Sequence, residues 1–415
     1  NYRFQGVTTV FVGNDGEGQP HVTALSKQLT SNGIGTNVAM LVGHNALRTA
    51  VMGAVDRSPT VAEMNQMKGL LKGALEQGAF GFSSGLYYVP GVYSKTEEVL
   101  ALAKVAAQFN AVYESHIRDE GSFTVGFVAA IEEFLKIAKE AKIKGHIAHI
   151  KALGVDVWGQ SEVVIKMIEQ ARAEGLEITA DQYPWQASGT FLHSAVVPKW
   201  AMEGGRDATV KRLQTTKKKK LLLADITENI RKRGGADRLL VTASGKASWL
   251  GKKLKTIAEQ MKKSAAEAVI DMVVAEKTRV ASFNMDAADV ARFMQQDWVV
   301  TSSDGTNGHP RKYASFPQKF QRYVQQLELI SQSAFINRSS SKTAAIFGLK
   351  NRGQIAVGQK ADINVINESE FKAHADFSNW NKLSTGIEYQ WINGQLSITK
   401  GQAVKSLSGD VLLRK

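Results

Sequence analysis

The chain has 415 residues, 43% hydrophobic and 22% charged, with 7 prolines, no cysteine and a formal net charge of +13. That length exceeds one simple core and suits a large barrel with an appendage, or two domains, while the lack of cysteine excludes disulfides, thiolate catalysis and Cys-ligated zinc. No apolar run approaches the length that spans a bilayer, and NYRFQGVTTV has neither the basic start nor the apolar centre of a signal peptide.

Apolar runs followed by polar turns recur along the chain. The first, GVTTVFVG at 6–13, starts almost at once with no initiating methionine before it, which reads as a fragment or a processed product. TNVAMLVGH at 36–44, GAFGFSSG at 78–85 and NAVYESHIR at 110–118 follow, then KGHIAHIK at 144–151 and LEITADQYP at 176–184. Between them TEEVLALAKVAAQ, AAIEEFLKIAKEAK and VVIKMIEQARAEG repeat apolar residues every three or four positions, as helices with one buried face do. Thr96 and Ser161 sit where N-caps are expected. His116 and His149 are 33 residues apart and His149 and Tyr183 are 34 apart, about one strand–helix unit each. Such alternation predicts a parallel sheet with helices outside it.

From 188 to about 250 the pattern breaks and reads as an insertion. Residues 211–263 hold 16 Lys or Arg against 4 Asp or Glu, so nearly all the net charge sits there, in KKKK at 217–220, RKR at 231–233 and KKLK at 252–255. Trp249 is the only aromatic residue in the stretch and no nucleic-acid motif is present, so it reads as solvated helical surface, with neither nucleic acid nor membrane as a partner. SAAEAVIDMVVAE and MDAADVARFMQQ then lead as helices to a last strand, WVVTSSDG at 298–305. Seven strands are one short of a (β/α)8 barrel; the missing one is expected upstream of residue 1, with RLLVTAS at 238–244 as the alternative. After the barrel region of 1–345, GQIAVGQKADINVIN and GIEYQWINGQLSITKGQAV read as short strands with Gly and Asn-Gly turns, a small β-domain over 346–415.

In a barrel the chemistry belongs at the C-terminal ends of the strands. Asp15 follows the first strand, His116 ends the fourth, His149 the fifth, Tyr183 the sixth and Asp304 the last. Two imidazoles and two carboxylates at one mouth suit a zinc-like divalent ion with open positions for water. Strand alternation puts His149 and Lys151 on one side. His44 and His309 are expected to hydrogen-bond near the mouth, Glu120 to support a ligand, and His21, His193 and His374 to be surface or structural.

The stretches GVTTVFVGNDG, LVGHNALR, GFSSGLYYVPGVYSKTEEVLALAK, YESHIRDEG, AHIKALG, ADQYPW, SSDGTNGHPRKYASFPQKF and GLKNRGQIAVGQKADINVI span almost the whole chain. In that order they resemble the amidohydrolase superfamily, and within it the N-acyl-D-amino-acid deacylases (D-aminoacylases). The resemblance implies a TIM-like (β/α)8 barrel with a small C-terminal β-sandwich domain, and hydrolysis of N-acyl-D-amino acids, small-molecule substrates, to a carboxylate and a free D-amino acid. It implies one tightly bound zinc ion, and at most a second, weaker one, held by Asp15, His116, His149 and Asp304. Asp304 would also serve as general base, and Lys151, Tyr183, Arg311 and Ser188 would bind the substrate carboxylate. A soluble bacterial-type protein of cytoplasm or periplasm is expected. Asp15 stands where the family often has cysteine. The family's His-x-His pair falls before the first residue, so a second metal site is expected to be incomplete. The rival readings are a cyclic-amide hydrolase of the dihydroorotase or hydantoinase type, which commonly carries a lysine on the strand that reads GFSSG here, and a truncated, catalytically inactive binding form.

Overall fold

The computed structural model describes residues 1–405 and 407–414. Six strands, β1 (Thr9–Val12), β2 (Asn37–Gly43), β3 (Gly81–Gly85), β4 (Val112–His116), β5 (Lys144–Ile147) and β6 (Ile178–Gln182), pair in parallel in chain order. The chain then leaves this wall to make a three-stranded antiparallel sheet from β7 (Ser188–Phe191), β8 (Leu239–Ala243) and β9 (Arg279–Ser282), with β9 central. It returns at β10 (Val299–Thr301), which pairs in parallel with β6. This is the wall of a TIM-like barrel, seven parallel strands with helices between them. The segment 238–244, one of the two candidates for a further barrel strand, instead forms β8 of the antiparallel sheet, because its edges pair with β9 and not with the wall.

A four-stranded antiparallel sheet follows, from β11 (Ile363–Ile366), β12 (Ile387–Ile392), β13 (Gln395–Thr399) and β14 (Gln402–Ala403). Asn393 and Gly394, both at positive φ (53° and 79°), make the expected tight turn between β12 and β13. The last strand, β15 (Val411–Leu412), goes back to the barrel and pairs in parallel with Val38 and Ala39 of β2. Of the small β-domain expected over 346–415, residues 406 and 415 lie outside the described residues. Among the described residues no helix is long and apolar enough to cross a membrane.

Helix periodicity explains how the wall is covered. In Phe127–Ala141 the residues Phe127, Ala130, Ile131, Phe134, Ile137, Ala138 and Ala141 are buried, while Glu132, Lys136, Lys139 and Glu140 face outwards. Each large apolar side chain removed from water in this way contributes roughly 1.5–3 kcal/mol. The two expected N-caps are corrected. Thr96 and Ser161 are already the first helical residues, behind Lys95 and Gln160, and neither caps its helix. Their hydroxyls donate across to carboxylates of other helices, Thr96 to Glu133 at 2.8 Å and Ser161 to Asp289 at 2.5 Å. Once a residue has turned helical its side chain no longer reaches the free backbone N–H groups, and a tertiary acceptor takes the hydroxyl instead. His44 also pairs between helices: its Nε2 lies 2.7 Å from Glu98, which accepts two hydrogen bonds from Arg48 at 2.8 and 2.6 Å. In the basic stretch Lys217 to Lys220 are exposed, as a solvated surface requires.

Lys319 is a cost built into the barrel. It is 0% exposed and donates to the Thr301 hydroxyl at 3.0 Å, and burial, aided by the charge of Arg338, pulls its ammonium down from 10.5 to about 7. The unfolded chain holds that proton up to about pH 10.4 and the folded chain releases it near neutrality, so stability rises with pH through this window, by about 1.4 kcal/mol per unit. Replacing Lys319 with Met should therefore raise the melting temperature more at about pH 6.5 than at about pH 9.5. A gain that does not change with pH in thermal unfolding would contradict this.

Candidate metal centre and active site

The site is built where strands of the wall end. Three of its residues, Asp15 after β1, His149 after β5 and Asp304 after β10, have φ of 56°, 33° and 42°. Residues other than glycine seldom adopt this left-handed backbone, and such strain collects at functional sites. The alternation read for 144–151 stops at Ile147, so His149 owes its direction to this turn and not to a strand face. The loop carrying Asp15 lies flat on β3: Ser83 Oγ donates to Gly13 O at 2.5 Å and accepts from Gly16 N at 3.1 Å. A Cβ on Gly85 would stand 2.0 Å from Asp15 O, so only glycine lets the loop approach.

Asp15, His116 and His149 each offer a ligand atom within 4.8 Å of the other two. His149 Nε2 is 3.1 Å from Asp15 Oδ1 and 2.9 Å from His116 Nδ1, and His116 Nδ1 is 3.9 Å from Asp15 Oδ2. Burial pushes the Asp15 carboxyl up, but His149, His116 and Lys151 outweigh it and hold the group at about 2. Burial lowers His116 to about 4, which keeps its ring neutral with a free lone pair. Two imidazole nitrogens and one ionised carboxylate within 4.8 Å of one another form a donor set that fits a divalent ion of the zinc type. Asp304 does not join the three.

Behind the histidines lies a charged support. Glu120 Oε1 is 3.0 Å from His149 Nδ1 and accepts from Lys151 Nζ at 2.5 Å, and Lys151 Nζ is also 2.6 Å from His149 Nδ1. Burial opposes ionisation of Glu120, yet Lys151 and the two histidines hold its carboxyl well below the usual range. When His149 presents Nε2 as a ligand, Nδ1 carries the proton and Glu120 is placed to accept it, and the Lys151 ammonium then donates to Glu120 and no longer to Nδ1. Asp181 secures the backbone, accepting from His149 N at 3.0 Å while its other oxygen lies 2.9 Å from His146 Nε2. Glu120→Gln should thus lower metal affinity about 10- to 100-fold, with some loss of stability because the buried Lys151 ammonium loses its ion partner. Competition with a chelator, followed by metal analysis, measures it; unchanged affinity would remove Glu120 from this role.

Asp304 is held by Arg311, whose Nη1 donates to Oδ2 at 2.6 Å. This ion pair keeps its carboxylate out of the three-residue cluster. Burial raises the Asp304 carboxyl above its ordinary value, against the pull of Arg311 and His149. Arg311 Nη2 donates to Gly189 O at 3.1 Å, and its backbone N–H donates to His309 Nδ1 at 3.1 Å. The Arg311 guanidinium stacks 4.7 Å from the Tyr183 ring centre, with Lys151 Nζ at 5.6 Å. Ser188 opens β7, and its Oγ accepts from the Asn284 side-chain amide at 3.3 Å. Lys151, Tyr183, Ser188, Asp304 and Arg311 line one cavity with His116 and His149.

The same cavity is walled by residues that the sequence reading left out, chiefly Tyr87, Tyr88 and Arg233. Tyr88 lies 4.7 Å from the His116 ring. Asp181, a carboxylate at the end of β6, carried the same signal as Asp304 and could have been found by it. Arg233 carried none, being one cation in a run of them.

The Amidohydrolase family model matches residues 28–398. The chain is 30% identical over 366 residues to an N-acyl-D-glutamate deacylase of Alcaligenes xylosoxydans xylosoxydans, covering 86% of this chain and 66% of that protein. The chain thus spans about two thirds of that curated relative. Among solved structures, the N-acyl-D-glutamate deacylase of Bordetella bronchiseptica, complexed with zinc and a phosphonate mimic of the tetrahedral intermediate, superposes with a TM-score of 0.84 at 28% identity, over 99% of this chain and 83% of that one. A D-aminoacylase superposes with a TM-score of 0.83 at 27% identity, over 100% of this chain and 84% of the other.

Proposed function

The chain belongs to the amidohydrolase family, and from that premise we propose that it hydrolyses N-acyl-D-amino acids to a carboxylate and a free D-amino acid. The observation that carries this reading is the meeting of Asp15, His116 and His149 within 4.8 Å beside a cavity that also holds Asp304 and Arg311. We assign the three as ligands of one zinc ion, with any second ion weaker. When bound, a divalent ion there supplies Lewis acidity, polarising the acyl carbonyl and acidifying water. Arg311 is suited to a two-point hydrogen bond with the substrate α-carboxylate, with Tyr183, Ser188 and Lys151 around it. As that carboxylate engages the guanidinium, Asp304 is released from its ion pair. Asp304 Oδ2 takes the proton from the attacking water and returns it to the departing amide nitrogen. The D configuration rests on the named relatives.

A cyclic-amide reaction of the hydantoinase type is disfavoured because β3 reads GFSSG and has no lysine to bridge two ions; Ser83 there binds the Asp15 loop instead. The test is metal analysis of the purified protein together with hydrolysis of paired N-acetyl-D- and N-acetyl-L-amino acids. About one equivalent of zinc with D-selective turnover supports the reading. No metal and no turnover would favour the binding form.

A further inference from the structure

Behind the cavity wall stands a histidine to which the chemistry above gives no task. His309 is 1% exposed, and both of its ring nitrogens are hydrogen-bonded. Nδ1 accepts from the backbone N–H of Arg311 at 3.1 Å, so the proton sits on Nε2, which donates to Ala187 O at 2.9 Å. That pair of bonds demands a neutral ring. A protonated one would turn an N–H towards the Arg311 N–H and add a buried cation beside the guanidinium. Burial first and the charge of Arg311 second push the ring's pKa well below its ordinary value, outweighing the Ala187 carbonyl.

The arrangement starts in the local sequence. Arg311 opens the helix Arg311–Lys319, whose first N–H groups have no partner inside the helix, and Pro310 before it brings no N–H of its own. His309 supplies the acceptor for the Arg311 N–H. On its other side the ring lies against Gly189, where a Cβ would stand 3.0 Å from His309 Cδ2. Gly189 lines the cavity, and its carbonyl accepts from Arg311 Nη2 at 3.1 Å. The bonds therefore run in a closed circuit: from the Arg311 backbone through the His309 ring to Ala187, along the chain to Gly189, and back to the Arg311 guanidinium. The ring centres of Phe377, Trp185 and Tyr183 stand 5.0, 6.1 and 6.3 Å from that of His309 and restrict its rotation. An arginine side chain samples many rotamers, and fixing it beforehand spares a ligand that entropy.

We propose that His309 is a positioning residue for Arg311, which meets no substrate itself and sets the guanidinium where a substrate carboxylate reaches it. This rests on the deacylase reading above and deepens it, by tracing the grip on the α-carboxylate to a neutral ring behind the cavity wall.

The test uses three variants chosen atom by atom. His309→Asn keeps an acceptor near the place of Nδ1, His309→Gln keeps a donor near that of Nε2, and His309→Phe keeps a ring without either bond. With the zinc-loaded enzyme and N-acetyl-D-leucine, His309→Phe should raise KM about tenfold or more and affect kcat far less, and His309→Asn should recover part of that loss. In an Arg311→Gln background His309→Phe should leave KM where it is, since a group that acts through Arg311 then has nothing to place. A merely structural histidine gives the opposite pattern, with kcat and KM worsening alike and the effects of the two sites adding. That pattern, or an unchanged KM in His309→Phe, would overturn the proposal. If the wild type hydrolyses no N-acetyl amino acid, the deacylase reading fails and the positioning is decided separately, by crystal structures that need no substrate. An Arg311 guanidinium that leaves Gly189 O in His309→Phe sustains it, and one that keeps its place refutes it; should that variant not fold, the same comparison in His309→Gln decides.

Discussion

Replacing His149 with alanine is expected to strip the site of its metal and to lower kcat/KM by about three orders of magnitude or more, since water is then no longer activated at neutral pH. The size of the effect follows from the geometry. Of the three, His149 alone lies within hydrogen-bonding reach of both others, at 3.1 Å from Asp15 and 2.9 Å from His116, which stand 3.9 Å from each other. Without it two donors remain, too few for a stable zinc site. Glu120 and Lys151 stay paired with each other at 2.5 Å, and Asp15, which loses its His149 partner, keeps the His116 ring 3.9 Å away, so the fold should survive at some cost in stability. Metal analysis and circular dichroism on the purified variant check this, and equal metal content in variant and wild type would remove His149 from the ligand set.

Replacing Asp304 with asparagine should act differently, lowering kcat by about 10²- to 10⁴-fold while the metal stays. The side chain keeps its shape but can no longer accept and return a proton. Because Arg311 loses its ion partner, it meets the substrate carboxylate without competition, so KM should fall or hold. Steady-state kinetics with metal quantitation separate the outcomes. A raised KM at unchanged kcat would make Asp304 a binding group and not a base. Lys151→Ala should weaken substrate binding and, because Lys151 Nζ also touches His149 Nδ1 and Glu120, loosen metal binding as well.

The two kinds of effect differ in how far the sequence alone discloses them. The barrel wall was legible because apolar runs and the 3.6 period of the helices between them are local patterns, and because Asp15, His116, His149 and Asp304 each stand at the end of an apolar run, where a buried strand has no other use for a charge. Cap positions failed for a physical reason: the hydroxyls of Thr96 and Ser161 choose between a nearby backbone N–H and a distant carboxylate, and Glu133 and Asp289 are supplied by helices that only the fold brings close.

Residue type and spacing by themselves pointed to a parallel wall of strands and helices and to imidazole and carboxylate donors at its mouth, and the resemblance of whole stretches pointed to the family. Three things were decided only by tertiary packing. The first is which carboxylate joins the histidines, for Arg311 holds Asp304 back while Asp15, on a loop pressed against Gly85, meets them. The second is that Lys151, expected at the substrate carboxylate, joins Glu120 in the support behind His149, between residues 31 positions apart. The third is the burial of Arg233 among exposed cations. A charge's worth depends on its solvent exposure and its partners, and both are properties of folded neighbours that no run of letters contains.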